Sequence, residues 1–193
     1  MDEELPTYPA APPDRIDLPD GRCLFRASVD RTSAIVAAVN ASLDHLRPWM
    51  AWAAEPATEA SIGTFLAAAQ VLFEARHDFT YSILDADGTS IVGGCGLHGR
   101  LGRDAFEIGY WVAVHHTRQG VATAAARALT GAAFAIDGIE RVEIRCEEAN
   151  ERSARVPERL GYRFEGLVVP EDGPTASRST QVWSVAREGW PPG

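Results

Sequence analysis

A chain of 193 residues, 46% apolar and 23% charged, is long enough to bury the core of one globular domain. Its net charge of −9 withholds the attraction to phosphate that a general nucleic-acid binder or anionic-membrane binder needs, so neither partner is expected. The same balance suits a cationic substrate such as a protonated amine.

Residues 1–20 hold Pro6, Pro9, Pro12, Pro13 and Pro19 and predict an extended, proline-rich lead-in to one domain over residues 21–193. They open on acids and prolines where a secretory signal would carry a basic and then an apolar run, so a cytoplasmic protein is expected. Arg22–Ser28 reads as a first strand. From Ser33 the apolar positions Val36, Val39, Leu43 and Leu46 recur at helical spacing until Pro48 stops the helix. A second helix starts near Thr58, with Ile62, Phe65, Leu66, Ala69, Leu72 and Phe73 on one face. An aromatic segment from His45 to Trp52 joins the two.

Three strand-like runs follow, Phe79–Leu84, Ser90–His98 and Ala105–Val112, and Asp87-Gly88 supplies a hairpin turn between the first two. In the third run Phe106, Ile108, Tyr110 and Val112 share one face, with Glu107, Gly109 and Trp111 on the other. A long helix from Gly120 to Ile136 turns Val121, Ala125, Leu129, Ala132 and Ile136 inward and Thr123, Arg127 and Thr130 outward. A strand at Arg141–Cys146, a helix over 150–160 and strands at Tyr162–Val169 and Thr180–Arg187 complete the chain. The expected class is α/β (α+β): a mixed, mostly antiparallel central sheet flanked by helices, with a βαβ crossover in the middle. The alanine-rich stretches are interrupted by polar residues and fall short of a membrane span. Cys23, Cys95 and Cys146 have neither metal-ligand nor disulfide-framework spacing, so no metal is expected and a reducing compartment is favoured.

The chemistry concentrates between Glu107 and Gly166. Thr117-Arg118-Gln119-Gly120-Val121-Ala122-Thr123 lies between a strand and a helix, where successive backbone N–H groups and the helix dipole favour an anion. Gly120 and Ala122 let a phosphate approach the backbone, and Arg118 adds a mobile positive charge. Taken alone, such a turn is also an ordinary strand-to-helix connection. The chain has no Gly-x-x-x-x-Gly-Lys-Ser/Thr loop, and no Gly-x-Gly-x-x-Gly follows an early strand.

Tyr110-Trp111-Val112 stands before that loop, and Asn150-x-x-Ser153 and Leu160-Gly161-Tyr162-Arg163-Phe164-Glu165-Gly166 stand after it. Together these residues resemble the GNAT acetyltransferase superfamily, and more narrowly its RimJ/RimL-type branch, whose named members acetylate the N-termini of ribosomal proteins. The likeness runs from the first strand to Trp183 and Trp190. It implies a GNAT fold with a βαβ acyl-CoA-binding core. It also implies an enzyme that moves an acetyl group from acetyl-CoA to a primary amine by direct attack in a ternary complex. The amine would belong to a protein N-terminus, an antibiotic or another small molecule. A bulkier donor such as succinyl-CoA, a non-catalytic acyl-CoA-binding module and a homodimer are all compatible with the resemblance.

Carried over residue by residue, the resemblance assigns the pyrophosphate loop to Thr117, Arg118, Gln119, Gly120, Val121 and Ala122, with Thr123 next to it among the expected cofactor-binding residues. Backbone groups of Val112, Ala113 and Val114 would pair with the pantetheine amides. Asn150 would bond the pantetheine arm, and Ser153 would lie near the thioester sulfur. Two positions depart from the pattern. Thr117 replaces a Gln or Arg, and Pro157 stands where many members carry a tyrosine general acid. Pro157 also removes the helical bond to the Ser153 carbonyl. Ser153 is therefore the candidate for stabilising the leaving thiolate, with helix capping or packing as its bland alternative.

Attack on a thioester needs a neutral amine, so a proton acceptor is required. Glu107 is the base candidate by position, against a substrate-binding or merely solvated carboxylate. His115, His116, His98 and His45 are secondary candidates. Trp49, Trp52 and Tyr110 are the expected substrate-side residues, although tryptophans there would equally anchor the helices to the sheet. Cys146 reads as a half-buried strand cysteine rather than a nucleophile.

Overall fold

A computed structural model describes residues 6–169 and 178–191. The first five residues of the lead-in lie outside the described residues. Among the described residues eight strands form one sheet: β1 (Arg15–Asp17), β2 (Cys23–Arg26), β3 (Asp78–Leu84), β4 (Ile91–His98), β5 (Ala105–Val112), β6 (Arg141–Glu147), β7 (Arg163–Val168) and β8 (Thr180–Ala186). Their spatial order is β1-β2-β3-β4-β5-β6-β8-β7. Every pairing is antiparallel except β5 with β6, which α4 (Val121–Phe134) connects as a crossover. The remaining helices are α1 (Thr32–Asn40), α2 (Leu43–Leu46), α3 (Glu59–Glu74) and α5 (Glu151–Arg159). No helix among the described residues is long and apolar enough to cross a membrane.

Two hydrophobic clusters sit on opposite faces of β5. The larger joins Phe79, Leu97, Phe106 and Ile108 to Val121, Ala125, Leu129 and Ala133 of α4, and Tyr110 and Val112 pack against it. The smaller gathers Ile35, Val39, Leu66 and Ala69 from α1 and α3, and Trp111 packs there. That division follows from the period-two alternation of the strand. The lead-in belongs to the larger core. Tyr8 is 1% exposed, its ring centroid lies 4.1 Å from that of Phe106, and its hydroxyl donates to the carbonyls of Gly102 (3.1 Å) and Ala105 (3.2 Å).

Several helical expectations shift. The helix expected from Ser33 to Pro48 is two pieces, because buried Ser42 interrupts it. Ser42 Oγ donates to the Ala38 carbonyl (2.7 Å) and accepts the Val114 N–H (3.0 Å), competing with the next helical turn. Ile35 rather than Val36 is the buried neighbour of Val39, and Phe65 is 54% exposed. Thr130, expected on the outer face of the long helix, is fully buried. Its hydroxyl bonds the Ala126 carbonyl (2.6 Å) and the Tyr162 hydroxyl (2.7 Å), so a partner distant in sequence makes a polar residue part of the core.

One feature of register positions the site. β5 and β6 are paired only from Ala105/Arg141 to Ile108/Ile144. Beyond that point β5 stays with β4 as far as Val112, and β6 stays with β8 as far as Glu147. The two parallel strands part; α5 follows the end of β6, and α4 follows the end of β5 after the turn over 113–120.

Candidate active site

Gly120 caps α4 at φ +74°, a left-handed conformation that glycine adopts without Cβ strain, and a Cβ added there would meet nothing within 4 Å. Among the described residues no side chain caps this helix start. The N–H groups of Val121, Ala122 and Thr123 therefore face outward without an intrahelical acceptor. Arg118 is also left-handed, at φ +63°, and exposed. The loop is braced from below, where Arg22 donates to the Gln119 carbonyl (2.9 Å) and pairs with Asp20. Gln119 Nε2 donates to the His115 carbonyl (3.1 Å). At the first departure from the family pattern, Thr117 Oγ1 donates to the Val114 carbonyl (3.0 Å), so this side chain closes its own turn.

Beside the loop, the backbone of β5 borders the gap. The Ala113 N–H donates to Val92 on the β4 side (2.9 Å). Alternation then directs the N–H and C=O groups of Tyr110 and Val112 toward the gap. Of residues 112–114, the N–H groups of Ala113 and Val114 already have acceptors within the chain, and that of Val112 faces the opening.

Across the gap stands α5. The Asn150 side chain caps it by accepting from the Ser153 N–H (3.2 Å), so a capping role falls to Asn150 rather than to Ser153. Pro157 leaves the Ser153 carbonyl without a helical donor, and the Tyr110 hydroxyl supplies one (3.1 Å) while also lying 3.0 Å from Ser153 Oγ. α5 runs through Pro157 to Arg159 on this substitute. Burial pushes the Tyr110 phenol up, against the opposing effect of its Ser153 hydrogen bond. The Cys146 thiol is raised by burial too, again opposed by a hydrogen bond with Ser153, which leaves it a poor nucleophile. Tyr110, expected on the substrate side, thus joins Ser153 and Cys146 in one hydroxyl and thiol cluster. The orphaned carbonyl ahead of Pro157 was the sequence signal that a donor had to exist. Tyr110→Phe removes that donor and is expected to cost about 1–3 kcal/mol, read as a lowered denaturant midpoint.

The opposite face of β4 and β5 carries Glu107, Trp111 and His98. Glu107 is half-buried and lies 3.7 Å from Arg100. Trp52 is exposed and meets Trp111 edge-on, with ring centroids 6.0 Å apart, while Trp49 is half-buried on the same segment. His98 is hydrogen-bonded to Asp78 at 2.9 Å, a pairing that the sequence reading did not draw. Counting outward from the Asp87-Gly88 turn sets Asp78 opposite Leu97; an irregularity at Ile83/Leu84 shifts the register by one residue and brings His98 opposite Asp78. His45 lines a cavity of about 360 Å³ with Ser42, Asp44 and Val114; burial first, and then nearby Arg152, holds its pKa below the usual imidazole value. His115 is exposed and His116 half-buried beside the loop. Among the described residues no group of three or more His, Cys, Asp or Glu is placed to hold a metal ion.

The fold is shared with known proteins. A putative ribosomal N-acetyltransferase of Bacillus subtilis (strain 168), YdaF, is 42% identical over 79 residues, which span 40% of this chain and 43% of that protein. The match therefore covers under half the length of this curated relative. The microcin C7 self-immunity acetyltransferase MccE, solved with acetyl-CoA and AMP, superposes with a TM-score of 0.82 at 19% identity, covering 90% of this chain and 97% of that one. Mycobacterium smegmatis RimJ, solved with a CoA disulfide, superposes with a TM-score of 0.78 at 25% identity, covering 95% and 90%. RimL, the ribosomal L7/L12 α-N-protein acetyltransferase solved with coenzyme A, gives 0.81 at 17% identity, covering 89% and 97%. The acetyltransferase (GNAT) domain model matches residues 25–163. With that match spanning most of the chain over an eight-stranded sheet that opens between β5 and β6, the protein belongs to the GNAT acetyltransferase family.

Proposed function

We propose that this chain transfers an acetyl group from acetyl-CoA to a primary amine by direct attack within a ternary complex. The observation that carries the reading is the opening between β5 and β6. It is bounded by the free N–H groups of α4, by the gap-facing backbone of Tyr110 and Val112, and by the Tyr110–Ser153 hydroxyl pair. The α4 N-terminus suits a pyrophosphate, because unpartnered N–H groups and the helix dipole both favour anionic oxygen. The β5 edge suits the amides of a pantetheine arm, which would add to it as another strand does.

In the reaction the amine nitrogen forms a bond to the thioester carbon, and the carbon–sulfur bond breaks. A gap-facing N–H of β5 is placed to polarise the thioester oxygen. Ser153 donates its hydroxyl proton toward the departing thiolate, while Tyr110, which donates to the Ser153 carbonyl, holds that residue in position. Ser153→Ala is expected to lower turnover roughly 10- to 100-fold, the worth of one hydrogen bond to a charged group, with acetyl-CoA affinity unchanged.

The acceptor we favour is the α-amine of a protein N-terminus in the cytoplasm. The support is the ribosomal N-acetyltransferase relative and the RimJ and RimL folds. The likeness to an immunity acetyltransferase makes an amine-bearing antibiotic the alternative acceptor. Calorimetric titration with acetyl-CoA, succinyl-CoA and ATP comes first. Thiol release with peptides bearing free N-terminal Ser, Ala or Met, and with amine antibiotics, then follows. Saturable acetyl-CoA binding with turnover on a peptide supports the reading. Well-folded protein that binds neither acyl-CoA overturns it, and acyl-CoA binding without transfer leaves the non-catalytic alternative.

A further inference from the structure

The transfer requires a group to take a proton from the amine, and the structure sets one against β5 beside the point where the gap begins. His98 ends β4 and Asp78 begins β3, and the two are registered partners. His98 Nδ1 lies 2.9 Å from Asp78 Oδ2, and the side chains are 21% and 20% exposed, enclosed yet open to a substrate. A carboxylate only accepts hydrogen bonds, so the bond to Asp78 fixes the proton on Nδ1 and leaves the Nε2 lone pair free.

The direction of that lone pair is set by two glycines. Gly96 and Gly109 are cross-strand partners, and the imidazole lies across both. A Cβ added to Gly109 would come within 2.9 Å of His98 Nε2, and one added to Gly96 within 3.1 Å of Cε1. Nε2 therefore rests against β5 at Gly109. That residue is the first beyond the last β5–β6 pair, at Ile108, and the one before Tyr110. Glu107 is the registered neighbour of His98 on the same face and is engaged by Arg100 at 3.7 Å.

Building on the transferase reading above, we propose that His98 is the catalytic base, oriented by Asp78, and that Glu107 draws in and binds the incoming ammonium. The ammonium must lose two protons. Nε2 takes one, which frees the lone pair that attacks the thioester, and the imidazolium so formed is held by Asp78. The second leaves the new amide nitrogen and balances the proton taken up by the departing CoA thiolate. The imidazolium then returns its proton to solvent.

The test uses the full chain with His98→Gln, His98→Ala, Asp78→Asn and Glu107→Gln, assayed on a Ser-terminal peptide and on a lysine-like alkylamine. His98→Gln is expected to keep acetyl-CoA affinity and lose turnover on the order of 100-fold. The loss should be smaller for the peptide α-amine, whose pKa is about 8, than for the alkylamine, whose pKa is about 10.4. Added imidazole should restore part of the activity of His98→Ala. Asp78→Asn should fall in the same direction, and Glu107→Gln should act mainly on KM. In ¹⁵N spectra, neutral His98 should be the Nδ1–H tautomer. Wild-type turnover in His98→Gln overturns the assignment, as does a loss that tracks acetyl-CoA affinity without imidazole rescue. Wild-type protein that binds acetyl-CoA but acetylates no amine overturns the transferase reading, and this assignment with it.

Discussion

Gly120→Asp should abolish detectable acetyl-CoA binding while leaving the fold intact. Gly120 stands at φ +74° with no atom within 4 Å of an added Cβ, so the substitution meets no protein neighbour. Its effect falls on the ligand. The new carboxylate would sit at the helix start, where its charge competes with a ligand's anionic oxygens for the positive end of the dipole. It would also face the diphosphate at close range. Two like charges about 4 Å apart near a protein surface repel by roughly 4 kcal/mol, about a thousandfold in affinity. Gly120→Ala separates the contributions, because it adds no charge: its left-handed backbone strain of about 1–2 kcal/mol falls on stability, and only its methyl group meets the ligand. Calorimetry should rank wild type, then Gly120→Ala, then Gly120→Asp, with circular dichroism unchanged. Wild-type affinity in the aspartate variant would show that this loop does not hold the pyrophosphate.

Gly93→Ala should be the costlier change for the fold. A Cβ at Gly93 would come 2.3 Å from the Trp111 carbonyl oxygen and 3.2 Å from the Val112 Cα. Both are backbone atoms, so no rotamer relieves the clash, and β4 must move away from β5 where β5 borders the gap. Overpacking of this kind costs up to about 3 kcal/mol, which for a chain of this size lowers Tm by roughly 6–12 °C. Gly94→Ala is the informative comparison. Its Cβ would come 2.4 Å from Trp111 Nε1, a half-buried side chain that can swing aside. Its thermal penalty should be smaller, although the Trp52–Trp111 contact should be lost. Equal Tm values for Gly93→Ala and wild type would mean that β4 and β5 have more freedom here than their register implies.

Most of the strand ladder was readable in the chain. Ala105–Val112 is a strand over the expected span, and the alternation of Phe106 and Ile108 against Glu107 and Trp111 is the alternation of the two hydrophobic clusters. The loop at Thr117–Thr123 was legible for the same local reason: a glycine between a strand and a helix fixes a left-handed turn and exposes helix N–H groups whatever surrounds them. Helical faces were read less well at their edges. Phe65 is apolar yet exposed and Thr130 is polar yet buried, because neighbours remote in sequence decide where a stripe ends.

Periodicity and residue type are local quantities, and by themselves they determined most of the elements, the glycine turn ahead of α4, the departures at Thr117 and Pro157, and the family resemblance. Which side chains meet is a property of register between strands, and only the tertiary structure decided it. The parting of β5 from β6 beyond Ile108 created the opening, placed Tyr110 against Ser153 and supplied the donor that Pro157 had removed. The pairing of β3 with β4 set Asp78 beside His98, 20 residues away in the chain, and two glycines let the imidazole lie against β5. A side chain's partner across a sheet depends on hydrogen-bond ladders that span the whole domain, which no window of sequence contains.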